Sequence, residues 1–281
     1  LSHTPGYGKY ADIFRGVSVG SGLASSLGGY PGALSLRELS SFSIAGSSSQ
    51  TTRFRSALRT MYGLDPVLGE TVLSTLDATD LIDGSGVEEY IPDVAYPDSD
   101  FAEALMSVAQ LVKRDMGLQA ATVDLGGWDT HESQAYGDPI AGPYADNVDR
   151  LARALNAFWD DLGSERERVT IIVHSEFGRR LKENDNRGTD HGHGGMMLVL
   201  DTSVTEKKVF GEWPGLSNAE LYERKDLRVT TDFRNVIGEV LRSQFNLAAS
   251  EINELFPGFS YTGGLGILPI PEPGKSALNV F

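Results

Sequence analysis

Gly188-Thr189-Asp190-His191-Gly192-His193-Gly194-Gly195 places two of the chain's five histidines two residues apart, with an aspartate beside the first. The surrounding glycines let backbone come close to an ion or a substrate and take turns that a Cβ atom would forbid. Two upstream segments carry complementary groups. Thr122-Val-Asp-Leu-Gly-Gly-Trp-Asp-Thr-His131 contains Asp124, Asp129 and His131, and Thr170-Ile-Ile-Val-His-Ser-Glu-Phe-Gly-Arg179 contains His174, Glu176 and Arg179. Carboxylate oxygen and neutral imidazole nitrogen are the ligands that divalent metals take. Asp124, Asp129, His131, Glu176, Asp190, His191 and His193 are therefore candidate donors to a divalent ion, with Zn, Mn, Mg or Ca all compatible. Arg179 can neutralise an anionic substrate through its fork of donors, and Arg180 adjoins it. Blander roles compete: Asp129 and His131 as a loop hydrogen-bond pair, Glu176 as a salt-bridge partner of Arg179 or Arg180, His174 as a hydrogen-bonded core residue, Trp128 as a plug beside the site.

These groups need strand ends to hold them. Ala120 to Leu125, the β-branched run Val169 to Val173, and Met196 to Leu200 read as strands, with Val173 and its neighbours in a central strand covered on both faces. Helices are predicted between and around them. The first covers Thr51 to Tyr62 with Thr51 or Thr52 as cap, and the second Pro66 to Leu81. A third starts from Asp98 or Ser99 and ends at Gly117. The others cover Tyr144 to Leu162 and Phe233 to Phe245, the last capped by Asp232. Residues 1–50 read as loops and short strands, 84–98 as a loop, Val209-Phe210 as a short edge strand, and the Pro- and Gly-rich tail after Phe256 as a surface wrap. Alternating strand and helix predicts an α/β fold with a mostly parallel central sheet and helices on both faces, in a single domain spanning 1–281. Ligands in such sheets bind beyond the carboxyl ends of the strands.

Bulk properties narrow the functions. A formal net charge of −15 argues against non-specific nucleic-acid binding. The absence of cysteine removes thiolate chemistry, disulfides and cysteine-zinc sites. No apolar run is long enough for a membrane span. The chain starts at Leu1, so an N-terminal segment carrying any targeting signal is expected to precede it. No particular oligomeric state is implied.

Val123-Asp-Leu-Gly-Gly-Trp-Asp-Thr-His131, Ser175-Glu-Phe-Gly-Arg179, Gly188-Thr-Asp-His-Gly192 and Val229-Thr-Thr-Asp-Phe-Arg234 resemble the domain of unknown function 1501 family, as do Trp213-Pro-Gly-Leu216 and Phe256-Pro-Gly258. Members of that family are typically bacterial, carry a twin-arginine export signal and are grouped with the alkaline phosphatase and sulfatase superfamily. The resemblance implies an alkaline-phosphatase-like fold, a periplasmic or secreted location, and a metal-dependent hydrolase acting on a small anionic phosphoester or sulfoester. Gly188-Thr-Asp-His191 is similar to the segment of phosphopentomutases whose histidine binds a catalytic metal, which favours His191. Asp124 and His131 resemble the preceding pair in those enzymes, with Asp129 as a rival carboxylate. Where the superfamily has Asp-His-Gly, this chain has Glu176-Phe177-Gly178. Glu176 can replace the aspartate, but Phe177 cannot replace the histidine, leaving His174 or His193 to compensate for a lost donor. The family's opening Gly-Gly-x-Asp segment is absent, so the chain is expected to be a C-terminal portion without its nucleophile. The alternative reading is a non-catalytic exported binding or scaffold protein that keeps the fold and one ion.

Overall fold

Short runs of small and β-branched residues build a parallel sheet early in the chain. β1 (Gly16–Val19) is buried along its whole length. It pairs in parallel with β2 (Leu34–Leu36) on one side and β3 (Ala120–Val123) on the other, in the order β2-β1-β3. Parallel neighbours need crossovers of a dozen or more residues. Residues 20–33, with a 3-10 turn at Ser25–Leu27, make the first. The chain between β2 and β3, whose described residues include three helices, makes the second.

The computed structural model describes residues 13–84, 90–138, 140–204 and 208–270. The start of the expected loop-and-strand region (1–12, with His3), the middle of the 84–98 loop (85–89) and the end of the tail (271–281) lie outside the described residues. Two compact units form, one from the stretch up to Gly126 with Val148–Gly163, the other from Gly127–Asn147 and the stretch from Ser164 on.

In the first unit α1 (Ser48–Tyr62) lies along α2 (Gly69–Gly84), joined by Arg55 to Asp80 and Asp83 and by Arg59 to Asp77 and Asp80. α1 starts ahead of the threonines expected to cap it. Thr51 and Thr52 instead turn their hydroxyls back onto the Ser48 carbonyl, and Gln50 Oε1 accepts the Ser47 N–H at 3.0 Å. α2 starts later than expected, because Asp65 Oδ1 accepts the Val67 and Leu68 N–H groups in a turn of its own. α3 (Asp100–Lys113) is capped by Ser99 and packs on β1 and β3. It ends before Gly117: Asp115 takes the left-handed conformation, and Asp115 and Met116 donate to the Val112 and Leu111 carbonyls. α4 (Pro143–Asp161) adds its body from Val148 onward. Val17, Leu34, Leu39, Leu105, Leu111, Phe158 and Leu162 are buried in this core, each large side chain stabilising it by about 1.5–3 kcal/mol. Asp161, fully buried, accepts from Tyr90, Tyr96, Lys113 and the Asp93 N–H.

The second unit contains two short antiparallel pairs. β4 (Ile171–Val173) runs against β7 (Leu198–Leu200), and β5 (Gly178–Arg179) against β6 (His191–Gly192). The Val169 to Val173 run is therefore not a central parallel strand. Its residues are only half-buried, since an unbroken apolar run specifies burial but not the direction of its partner. Val209 and Phe210 form no strand, and Val209 is 94% exposed. α5 (Phe233–Phe245), capped by Asp232, packs on α6 (Ala249–Leu255). Buried Glu239 on α5 accepts backbone N–H groups from Leu265, Gly266 and Leu268, fixing part of the tail. The fold is thus mixed α/β, with parallel pairing confined to β1–β3 among the described residues.

Candidate metal centre

Three loops of the second unit meet because glycine lets their backbones touch. A Cβ on Gly188 would lie 2.2 Å from the His131 carbonyl carbon, and one on Gly192 would lie 2.4 Å from the Arg179 carbonyl carbon. Any larger residue would push the 188–192 segment off its neighbours. The β5–β6 pair sets Arg179 directly opposite His191. Asn184 ties the remaining loops together. Its Oδ1 accepts the Asn186 and Gly188 N–H groups at 2.9 and 3.1 Å, and its Nδ2 donates to the His131 carbonyl (2.8 Å) and to Asp190 Oδ1 (3.1 Å). The Thr189 N–H donates to the Thr130 carbonyl, and both threonine hydroxyls donate to Gln134 Oε1.

On this frame Asp129 Oδ1 is approached by three nitrogens: His191 Nε2 at 2.7 Å, His131 Nε2 at 3.0 Å and Arg179 Nη2 at 3.2 Å. The His131 and His191 rings lie 4.9 Å apart, centre to centre. The ligand atoms of Asp129, His131 and His191 all lie within 4.8 Å of one another. The three side chains are 57%, 46% and 50% exposed, so an ion in solution can reach them. Two imidazole nitrogens and a carboxylate make a donor set that fits Zn, Mn or a similar ion. Tetrahedral bonds of about 2.0–2.2 Å hold donors roughly 3.3–3.6 Å apart, so the two Asp129–imidazole contacts of 2.7 and 3.0 Å need to open by no more than about 1 Å.

Electrostatics favour the charged carboxylates. The hydrogen bond from His191 holds the Asp129 carboxyl below its ordinary range; slight desolvation opposes this, and the charges of His131, His191 and Arg179 add to it. The hydrogen bond from Asn184 does the same for Asp190, against desolvation and with help from His131 and Arg180. Asp190 lies behind His131, its Oδ1 3.4 Å from Nδ1 and its Oδ2 3.4 Å from Arg180 Nη1.

The other expected donors are not members of this group of three. Asp124 follows β3 in the first unit and is exposed. Glu176 and His174 are exposed and outside the donor group, and Arg179 and Arg180 pair with Asp129, Asp190 and Asp226 rather than with Glu176. His193 stacks on Tyr222, with ring centres 4.2 Å apart. Arg179 is mostly buried, and its terminal nitrogens donate to the Trp128 and Thr189 carbonyls and to Asp129. Trp128 packs edge-on against Tyr144. Two contributors escape sequence reasoning. Asn184 carries only the weak signal of an Asn-Asp-Asn-Arg-Gly turn. Phe177 reads as a lost ligand, yet its ring stacks on His191 with centres 4.3 Å apart and planes 9° from parallel.

Comparison with curated proteins and with solved structures returns no match. Residues 49–256 match the family described as "Protein of unknown function (DUF1501)", and that stretch includes every residue of the cluster. The chain belongs to the DUF1501 family.

Proposed function

We propose that this protein is an exported, metal-dependent hydrolase of phosphoesters or sulfoesters, and that its mixed α/β architecture is a variant of the alkaline-phosphatase-like fold. The observation that carries the reading is the convergence of Asp129, His131 and His191 on one half-exposed spot. These three residues would hold a Zn, Mn, Mg or Ca ion. A bound ion would polarise the ester oxygen and make a bound water or hydroxyl a stronger nucleophile. Asp190 orients His131 from behind through Nδ1, leaving Nε2 aimed at the cluster. Arg179 is expected from its sequence setting to bind the ester anion, but its terminal donors are taken by protein acceptors. Arg180 is better placed for that role: it is 41% exposed, and its contacts to Asp190 (3.4 Å) and Asp226 (3.8 Å) are long.

The engagement of Arg179 also favours a second reading, an exported binding or scaffold protein that retains one ion. Metal-loaded protein assayed against aryl phosphate and aryl sulfate esters separates the two. Turnover abolished by chelator supports the hydrolase. Metal retained without turnover supports the binder, and failure to retain any ion contradicts both.

A further inference from the structure

Four side chains around the donor group form a closed cycle of contacts. The Arg179 guanidinium lies 4.9 Å from the centre of the Phe177 ring. Phe177 stacks flat on His191 at 4.3 Å. His191 Nε2 meets Asp129 Oδ1 at 2.7 Å, and Asp129 Oδ1 returns to Arg179 Nη2 at 3.2 Å. Phe177 and Arg179 thus each touch one candidate ligand and also touch each other, while Arg179 is anchored to the Trp128 and Thr189 carbonyls.

A half-exposed histidine on a short strand can rotate about χ1 and χ2, and a half-exposed aspartate can swing away from it. Fixing such side chains costs conformational entropy, which a preformed site has already met before the ligand arrives. The flat stack restrains the plane of the His191 ring, and the guanidinium restrains the Asp129 carboxylate. Because one guanidinium serves both, their relative position is restrained as well.

We propose that Phe177 and Arg179 are positioning residues that act as one clamp, holding Asp129 and His191 in the geometry that receives a divalent ion. The inference rests on the metal reading above and explains why an aromatic ring stands beside the donors where no ligand atom is available. It separates the roles of the adjacent arginines: Arg179 organises the donors, whereas Arg180 faces the substrate.

The test is Zn²⁺ affinity of the intact chain by competition with a chromophoric chelator, combined with NMR of the metal-free protein. Removing an orienting partner of a metal ligand typically weakens binding by about 10–100-fold. Phe177→Ala and Arg179→Ala are each expected to fall in that range, and Phe177→Tyr, which keeps the ring, to remain within threefold of wild type. The double variant is expected to lose clearly less than the product of the single losses, because each change breaks the same cycle. In metal-free wild type the His191 ring protons are expected upfield of their ordinary positions, shielded by Phe177, and to return in Phe177→Ala. Wild-type binding that Phe177→Ala leaves unchanged, fully multiplicative losses, or unshifted His191 protons would each overturn the clamp while leaving the metal reading standing. Absence of Zn²⁺ binding in wild type would instead remove the reading beneath it.

Discussion

Asp129 Oδ1 draws two imidazoles and a guanidinium to one point, and removing any of the three donor side chains should empty the site. His191→Ala is expected to lower bound metal, measured by elemental analysis of the intact protein; unchanged metal content would contradict its role. Gly188→Ala tests the backbone instead. Its Cβ would collide with the His131 carbonyl carbon, so metal affinity should fall although no donor is lost, and calorimetric titration would show it. Much of this cluster is legible in the sequence, because packing alone does not explain so many polar groups among glycines. What is not legible is which candidates converge. Asp124, Glu176 and His193 have the right chemistry, but their positions depend on how each strand ends and on partners remote in sequence, such as Tyr222 for His193. Phe177 misleads for the same reason: its role is set by His191, which the sequence does not place beside it.

Helices were the more readable elements. The apolar spacing of α3, α4 and α5 reports a period of 3.6 directly, and Ser99 and Asp232 cap α3 and α5 as expected, whereas α2 starts late because Asp65 takes the Val67 and Leu68 donors for itself. Strand partners were less readable, since the β4 run carries no mark of pairing antiparallel with β7. Two buried carboxylates hold elements in place and give separate tests. Burial pushes the Asp161 carboxyl up, but hydrogen bonds from Tyr90, the Asp93 N–H, Lys113 and Tyr96 outweigh it, leaving the group below its ordinary value. A depressed folded value stabilises above the unfolded pKa of about 4 and is lost as pH falls through the folded one. Asp161→Ala should cost about 3 kcal/mol at pH 7, with the gap to wild type in urea unfolding narrowing below about pH 4. A gap constant with pH would contradict this. Glu239→Ala leaves the Leu265, Gly266 and Leu268 N–H groups without their acceptor, at a cost of about 2–3 kcal/mol. Amide exchange should accelerate at those three positions; unchanged protection there would show that other contacts hold the tail.

Taken together, the two units divide the labour. The first supplies the three-stranded parallel sheet and most of the buried apolar residues, and the second carries the cluster on loops cross-linked by Asn184 and Gln134. The parallel sheet expected from strand and helix alternation is present but small, because the later strands pair antiparallel within the second unit. On the proposed reading, the charge of −15 would make an anionic ester dependent on local cations, and recognition would rest on the ion and on Arg180. The most direct measurement is metal content per chain after purified protein is loaded and dialysed against metal-free buffer. Wild type should retain one divalent ion, and His131→Ala, His191→Ala and Asp129→Ala should each lose it while remaining folded by circular dichroism. A wild type that keeps no ion, or variants that keep it undiminished, would contradict the account.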